Sequence, residues 1–299
     1  MRRFGLILFL LAYLVASVVP FAAAKEVIVA TYNVRNYLSM DRMANGRYRE
    51  DFPKPASETN VVRETIRSVG PDFIALQEIG SEAHLRELYT DLKNEGLAYK
   101  HAAILEGDGR ERCVAALWNI DQKYVVHRHE DLTIRYFGER QTVRRGLLEI
   151  EFTDEQGQWS VFILHLKSKY TNRKDDYQSL KCRTLEARAI RDRILERYPD
   201  PAKSRFIVIG DFNDTKSTAP LRAFKKRGKL KITEELECYD SRGEVWTHDY
   251  RKEALYSKID YILYSLGFKA LSEKKGTIVD RKDYYWGSDH RLVWVEFAE

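Results

Sequence analysis

The sequence predicts an α/β protein in which two β-sheets pack together with helices outside them. Three observations lead there. Eight apolar runs of strand length recur along the chain, rich in Val, Ile, Phe and Tyr and bounded by Gly, Asp and Asn. Many of these runs are apolar on both faces, which requires sheets covered on both sides. Stretches with helical spacing and helix stops fall between several of them.

Residues 1–24 are read as a signal peptide outside the fold. Met1-Arg2-Arg3 is a basic n-region, Phe4 to Phe21 is almost wholly apolar, and Ala22-Ala23-Ala24 fits the small-residue cleavage rule. A retained anchor is the competing reading, since the stretch is nearly long enough to span a bilayer; Pro20 and the Ala triplet favour cleavage. No Cys follows to carry a lipid, and Arg2-Arg3 reads as n-region charge rather than a twin-Arg address. The expected mature protein is exported, periplasmic or secreted, and starts near Lys25.

From 25 to 299 no linker, repeat or low-complexity tract interrupts the pattern, so one catalytic domain is expected. Once the two signal arginines are removed from the chain's +5, a net charge of +3 remains. That permits an anionic substrate without demonstrating one. Cys113, Cys182 and Cys238 form no CxxC and no His-Cys cluster, which argues against a zinc site of that type. Buried structural thiols are expected, with one bridge allowed.

The strand runs are VIVATYNV (27–34), FIALQEI (73–79), VAALWN (114–119), GLLEIEF (146–152), WSVFILHLKS (159–168), RFIVIGDFN (205–213), IDYILYS (259–265) and RLVWVEF (291–297). Helices are expected at Ser57 to Val69, with Ser57 as cap and Gly70-Pro71 as stop, and at Glu82 to Asn94 before Gly96. Two more are expected, at Gln178 to Tyr198 before Pro199 and at Thr218 to Lys226 before Gly228. Ser39 to Pro55, with Asp, Asn, Gly and two Pro, reads as a surface loop.

Polar residues fall at particular ends of these runs. Asn33, Glu78, His165 and Asp211 stand at or near the C-terminal ends of theirs, and Asn213 follows two residues after Asp211. Asp260 and the Asp289-His290 pair instead stand before their runs. If the last two strands run opposite to the others, all these positions meet at one edge. Each has a bland reading: a strand-end turn, a helix cap, a core histidine, an Asx turn, an edge charge. Their coincidence in position favours a site. Glu78, Asp211 and Asp289 are hard oxygen donors, with Asn33 and Asn213 as neutral ones, the pattern that suits Mg²⁺. An Asp partner for His290 would fix its tautomer and raise its pKa. Lys167, Lys169, Arg144 and Arg145 add cations for phosphate oxygens. The sum is metal-assisted attack of water on a phosphoester.

TYNVRNY, PDFIALQE, HLKSK, GDFND, KIDYILYS and GSDH, in that order, resemble the endonuclease/exonuclease/phosphatase superfamily across essentially the whole mature chain. The resemblance implies a four-layer α/β sandwich of two mixed sheets face to face. It implies Mg²⁺, with Mn²⁺ as the alternative ion, on Glu78, with Asn33 and Asp289 on the metal side. It implies Asp211 and Asn213 as the pair that orients water, His165 as phosphate contact or acid, and His290 as the catalytic histidine held by Asp260. Whether Asp211 or His290 is the base stays open. His165, Lys167 and His290 are expected to act as cations around the phosphate, with Arg145 as a further phosphate contact.

For the substrate, a nucleic acid ranks before a phospholipid or small phosphate ester, and no obligate protein partner is implied, so a monomer is expected. The arginines of 183–193 are either a substrate surface or a solvated helix face. Trp246, Tyr256, Tyr284, Tyr285 and Trp286 are stacking platforms, a lipid-docking hairpin or loop packing. A non-catalytic binding module ranks last, because no motif residue that the chemistry needs is missing.

Overall fold

The structure is a computed structural model that describes residues 26–106 and 111–298. The expected signal peptide lies outside the described residues. In chain order the elements are β1 (Glu26–Tyr37), β2 (Met40–Ala44), β3 (Arg47–Phe52), α1 (Ala56–Val69), β4 (Phe73–Ile79), α2 (Glu82–Asn94), β5 (His101–Leu105) and β6 (Cys113–Trp118). They continue with β7 (Lys123–His129), β8 (Thr133–Tyr136), β9 (Glu139–Thr142), β10 (Leu147–Asp154), β11 (Gly157–His165), α3 (Leu180–Arg197), β12 (Arg205–Asp211) and α4 (Ala219–Lys225). Short strands follow: β13 (Lys226–Arg227), β14 (Leu230–Lys231), β15 (Thr233–Glu235), β16 (Cys238–Tyr239), β17 (His248–Tyr250) and β18 (Leu255–Ser257). The chain ends with β19 (Asp260–Ser265), β20 (Gly276–Ile278), α5 (Tyr284–Gly287) and β21 (Val293–Ala298).

Two mixed sheets carry the fold, in the orders β16-β20-β21-β1-β4-β6-β5 and β15-β19-β12-β11-β10-β7. Strand alternation sorts the apolar residues into layers. Phe73 and Ala75 of β4, Ala116 and Trp118 of β6, Val161 and Ile163 of β11, and Ile207 and Ile209 of β12 pack between the sheets. Their odd-out neighbours Ile74, Leu76, Ala115 and Leu117 pack against Val62, Ile66, Leu85 and Leu88 of α1 and α2. Phe162, Phe206 and Val208 pack against Ile190 and Ile194 of α3 and Leu221 and Phe224 of α4. Strands apolar on both faces therefore serve two cores each, and the result is a four-layer α/β sandwich.

The directions fall as the polar ends require. β1 runs parallel to β4 and antiparallel to β21, while β11 runs parallel to β12 and β12 antiparallel to β19. The C-terminal ends of β1, β4, β11 and β12 thus share an edge with the starts of β19 and β21. In register, His165 lies opposite Asp211, and Asp211 opposite Asp260. Gly210 permits this closeness: its φ is 139°, and a Cβ there would stand 2.1 Å from the Leu164 carbonyl oxygen.

Several expectations need correction. Ser57 is not the cap of α1, because the helix begins one residue earlier, after Pro55. Helix α3 begins at Leu180 rather than Gln178, since Gln178 and Ser179 are left-handed, with φ of 53° and 52°. The 39–55 segment is largely at the surface, with Lys54 buried, and holds the β2–β3 hairpin, closed by Asn45-Gly46 with φ of 52° and 72°. Positive φ at both central residues is what a two-residue hairpin turn requires, and Asn-Gly supplies it. The three cysteines are buried, one each on β6, α3 and β16, and form no disulfide bridge. The arginines of α3 are largely structural: Arg183 is buried on Asp214 at 2.8 Å, and Arg193 pairs with Asp131 at 2.7 Å. Breaking a buried pair such as Arg183–Asp214 costs about 3–5 kcal/mol. Among the described residues no helix is long and apolar enough to cross a membrane.

Candidate active site

His290 sits in the turn before β21. Its backbone N–H donates to the Ser288 hydroxyl at 3.0 Å, and that hydroxyl donates to the Asn33 carbonyl at 2.7 Å, tying the turn to β1. Its Nδ1 lies 2.9 Å from Asp260 Oδ2, and its Nε2 lies 3.9 Å from Asp211 Oδ2. Burial alone favours a neutral ring, but Asp260, with Asp211 and Asp289 behind it, outweighs burial and holds the imidazole well above its ordinary range.

Asp211 is buried at the end of β12. It accepts from Asn33 Nδ2 at 3.0 Å, from the Asn213 backbone N–H at 2.7 Å and from Asn213 Nδ2 at 3.2 Å. Burial pushes its carboxyl up, Asp260 adds to this, and His290 works against it. The strand stops at Asp211, so alternation does not place Asn213. An Asx turn does, with Asn213 left-handed at φ 52°. Asn213 Nδ2 also donates to the Leu166 carbonyl at 3.0 Å.

His165 Nε2 lies 3.4 Å from Asp211 Oδ2, and its buried Nδ1 has no hydrogen-bond partner. Burial first, then Arg145, His290, Arg112 and Arg144, push this imidazole well below its ordinary range. These surroundings favour the neutral ring over the expected cation. Lys167 Nζ donates to the carbonyls of Ser168, at 3.1 Å, and Tyr170. Arg145 is the cation that stays. It is buried, its Nη1 donates to the Leu166 carbonyl at 3.1 Å, and no carboxylate among the described residues pairs with it.

Glu78 lies at a bulge in β4, in the left-handed region at φ 67°. Its Oε2 accepts from the Asn36 N–H at 2.8 Å and lies 3.9 Å from Arg112 Nε, which leaves Oε1 for another ligand. Asn36 and Arg35 are left-handed as well, so two bulged strand ends face each other here. Asn33 stands with Asp211 rather than with Glu78, and its Oδ1 accepts from Arg35 N–H at 3.0 Å. Asp289 Oδ2 lies 3.8 Å from Arg35 Nε and 3.9 Å from His248 Nε2.

Across this chain runs a family likeness. The model described as the Endonuclease/Exonuclease/phosphatase family matches residues 30–290. The chain belongs to the endonuclease/exonuclease/phosphatase family. Proteins of this family are metal-dependent phosphoesterases. Among solved structures the chain is similar to a double mutant of beta toxin from Staphylococcus aureus with bound magnesium ions, at 13% identity and TM-score 0.65, over 92% of this chain and 100% of that one. It is similar to an endonuclease/exonuclease/phosphatase from Bacteroides vulgatus, at 14% identity and TM-score 0.61, over 92% and 100%. It is also similar to the human Nocturnin catalytic domain with bound sulfate, at 16% identity and TM-score 0.58, over 91% and 94%. At these identities the likeness is one of fold. No curated protein matches the sequence.

The donor set suits the divalent ion of an endonuclease/exonuclease/phosphatase protein. Asp211, Asp260 and His290 have ligand atoms within 4.8 Å of one another, but His290 already holds Asp260 Oδ2, and Asn33 and Asn213 hold the two oxygens of Asp211; only Asp260 Oδ1 has no hydrogen-bond partner. Glu78 stands apart with an oxygen, Oε1, that no hydrogen bond among the described residues engages, which matches an ion held by one carboxylate, waters and substrate oxygens. Three residues escaped the sequence reading. His248 packs against His290 with ring centroids 4.6 Å apart and the rings tilted by 50°, and Arg112 braces Glu78 and Asn36. The buried Thr247 hydroxyl accepts the backbone N–H of Ile259 and of Asp260, each at 3.1 Å. The sequence signal for Thr247 and His248 was the WTHDY string, too short for a strand pattern.

Proposed function

We propose that the chain is an exported Mg²⁺-dependent phosphodiesterase, acting as a monomer, that hydrolyses DNA or RNA. Mn²⁺ is the alternative ion. The observation that carries the reading is the buried Arg145, whose guanidinium forms no ion pair among the described residues and meets Glu186, Glu78 and Asp211 only at longer range. A buried guanidinium without a direct counter-ion is costly, and a phosphate oxygen at the catalytic edge relieves that cost. The sulfate in the similar Nocturnin structure is a tetrahedral oxyanion like phosphate, and the similar beta toxin holds magnesium.

Asp211, its carboxyl raised by burial, takes the proton of the attacking water. Asn33 and Asn213 orient that carboxylate. His290, kept protonated by Asp260, offsets the charge that builds on the phosphoryl oxygens. His165 offers an N–H to the same oxygens. Glu78 would hold the ion, with Asp289 as a further oxygen donor, and the ion would supply Lewis-acid polarisation of the phosphoryl group when bound.

A phospholipid or small phosphate ester is the second reading, favoured by Trp286, which is 73% exposed on α5 close to the His290 turn. The test is hydrolysis of plasmid DNA, RNA, sphingomyelin vesicles and bis(4-nitrophenyl) phosphate with Mg²⁺ and then EDTA. Cleavage of the nucleic acids and the diester, lost in EDTA and in Arg145→Gln, supports the reading. Hydrolysis of the lipid alone replaces it with the second, and silence on all four removes it.

A further inference from the structure

Beside the catalytic edge lies an open cavity of about 400 Å³, whose lining includes Tyr136, Arg144, Lys167, Tyr170 and Arg173. It begins where the catalytic residues stop: Arg144 precedes Arg145, and Lys167 lies two residues beyond His165. Glu186 joins its two walls, accepting the backbone N–H of Arg144 at 3.2 Å and of Lys167 at 2.7 Å. That carboxylate is thus bound to backbone, not to either side-chain cation.

The cations of this wall lack acidic partners. Among the described residues no carboxylate pairs with the Arg144 guanidinium, and Lys167 Nζ meets oxygens of Ser168 and Tyr170 only. Arg173 is the exception, forked onto Asp175 at 2.9 and 3.0 Å. Tyr170 stands at the rim with 75% of its surface exposed. Its backbone is nonetheless pinned, since its carbonyl accepts from Lys167 Nζ and, at 3.2 Å, from the Ser179 hydroxyl. An exposed ring on a fixed backbone beside unpaired cations is a stacking face along a phosphate track. A lipid-inserting tip would instead group apolar side chains, whereas the neighbours of Tyr170 in sequence are Lys169, Thr171, Asn172 and Arg173.

We propose that this cavity is a second subsite, which takes the phosphate next to the scissile one on Arg144 and Lys167 and stacks an unpaired base on Tyr170. The substrate is then a single-stranded polynucleotide rather than a phospholipid or small phosphate ester. The inference rests on the phosphodiesterase reading above and adds the strand to it.

The test compares wild type with Tyr170→Ala on a fluorescein-labelled single-stranded octanucleotide, bis(4-nitrophenyl) phosphate and sphingomyelin vesicles. Tyr170→Ala is expected to raise KM for the octanucleotide about 5- to 100-fold, the range of one lost base stack, and to leave the small diester unchanged. A second arm measures octanucleotide binding by anisotropy in EDTA against salt, where Arg144→Gln is expected to lower the slope of log K on log salt by about 0.7. Unchanged octanucleotide KM and binding in Tyr170→Ala, or a loss confined to the lipid vesicles, overturns the subsite. If binding falls as expected but wild type cleaves no diester, the subsite stands and the catalytic reading fails.

Discussion

The site has two unlike halves, and the sheet that carries Glu78 contributes to both. The histidine half, from β11, β12, β19 and the turn before β21, is dry: the side chains of His165, Asp211, Asp260 and His290 are 1%, 2%, 2% and 7% exposed. The Glu78 half, from the ends of β1 and β4, is open: Glu78, Asp289, Arg112 and Arg35 are 17%, 27%, 28% and 38% exposed. The dry half stands on regular register and on hydrogen bonds between its own members. The open half stands on left-handed backbone at Arg35, Asn36 and Glu78, a conformation that costs non-glycine residues on the order of 1–3 kcal/mol each. A dry half sets proton positions before any ligand arrives, whereas an open, strained half waits for an ion and a phosphate. The comparison therefore predicts that proton chemistry and metal dependence separate by mutation.

The largest effect belongs to the dry half. His290→Ala is expected to lower kcat on bis(4-nitrophenyl) phosphate by about 10²- to 10⁴-fold with an unchanged far-UV spectrum. Turnover near wild type in the folded variant would remove His290 from the chemistry. Because Asp260 holds the imidazole above its ordinary range, the wild-type alkaline limb of kcat/KM should lie above the usual histidine region. Protonated His290 is present below that limb and is lost as pH rises through it.

Glu78→Gln should act on the other half. Removing the carboxylate is expected to raise the Mg²⁺ concentration for half-maximal rate by at least the roughly 10- to 100-fold that outer-shell changes cost. The alkaline limb should stay where it is. An Mg²⁺ titration that superimposes on wild type, or a limb that moves with it, would show that the halves are not separate.

Thr247→Val probes what supports the dry half. The change keeps the shape of a buried residue but leaves the N–H groups of Ile259 and Asp260 without their acceptor. A loss of about 1–3 kcal/mol in urea unfolding is expected, with lower kcat because Asp260 loses its anchor. Unaltered stability would mean that these two N–H groups find another partner.

The same division explains what was legible in the sequence. The dry half was readable because it lies on long strands: Asn33, His165 and Asp211 end apolar runs, and Asp260 begins one, so direction alone brought them together. The four layers followed from runs apolar on both faces. The open half hid its geometry. Nothing in the residues around Glu78 announces a left-handed bulge, and Arg112 reaches Glu78 only through the folded sheet. His248 and Thr247 escaped because β17 covers three residues, too few for a period-2 signal, and its link to His290 is a single tertiary bridge. The β2–β3 hairpin is different: its Asn45-Gly46 signal was present, but together with the Asp and two Pro around it that signal was read as a loop.

The smallest effect concerns the anchor just behind His290. Arg291 donates through its backbone N–H to the Thr247 carbonyl at 2.7 Å, and its guanidinium meets Asp240 at 3.0 Å and the Trp246 ring at 4.1 Å. Burial opposes the charge on Asp240, but the backbone N–H groups of Glu244 and Arg242 and the Arg291 and Arg242 side chains overcome it and hold its carboxyl down to about 2. The ordinary value is 3.8, so the folded state favours the ionised form. The stabilisation is fully present above that ordinary value and is lost as pH falls through the folded one, amounting to at most about 2 kcal/mol. Urea unfolding of wild type at steps from pH 5 to pH 2 should show that decline. Asp240→Asn should flatten part of it while leaving the Mg²⁺ titration of the open half unmoved. An equally steep acid decline in the variant would place the titrating carboxylate elsewhere, and Asp240 would then be a neutral strut under Arg291 rather than the charge that fixes the dry half from behind.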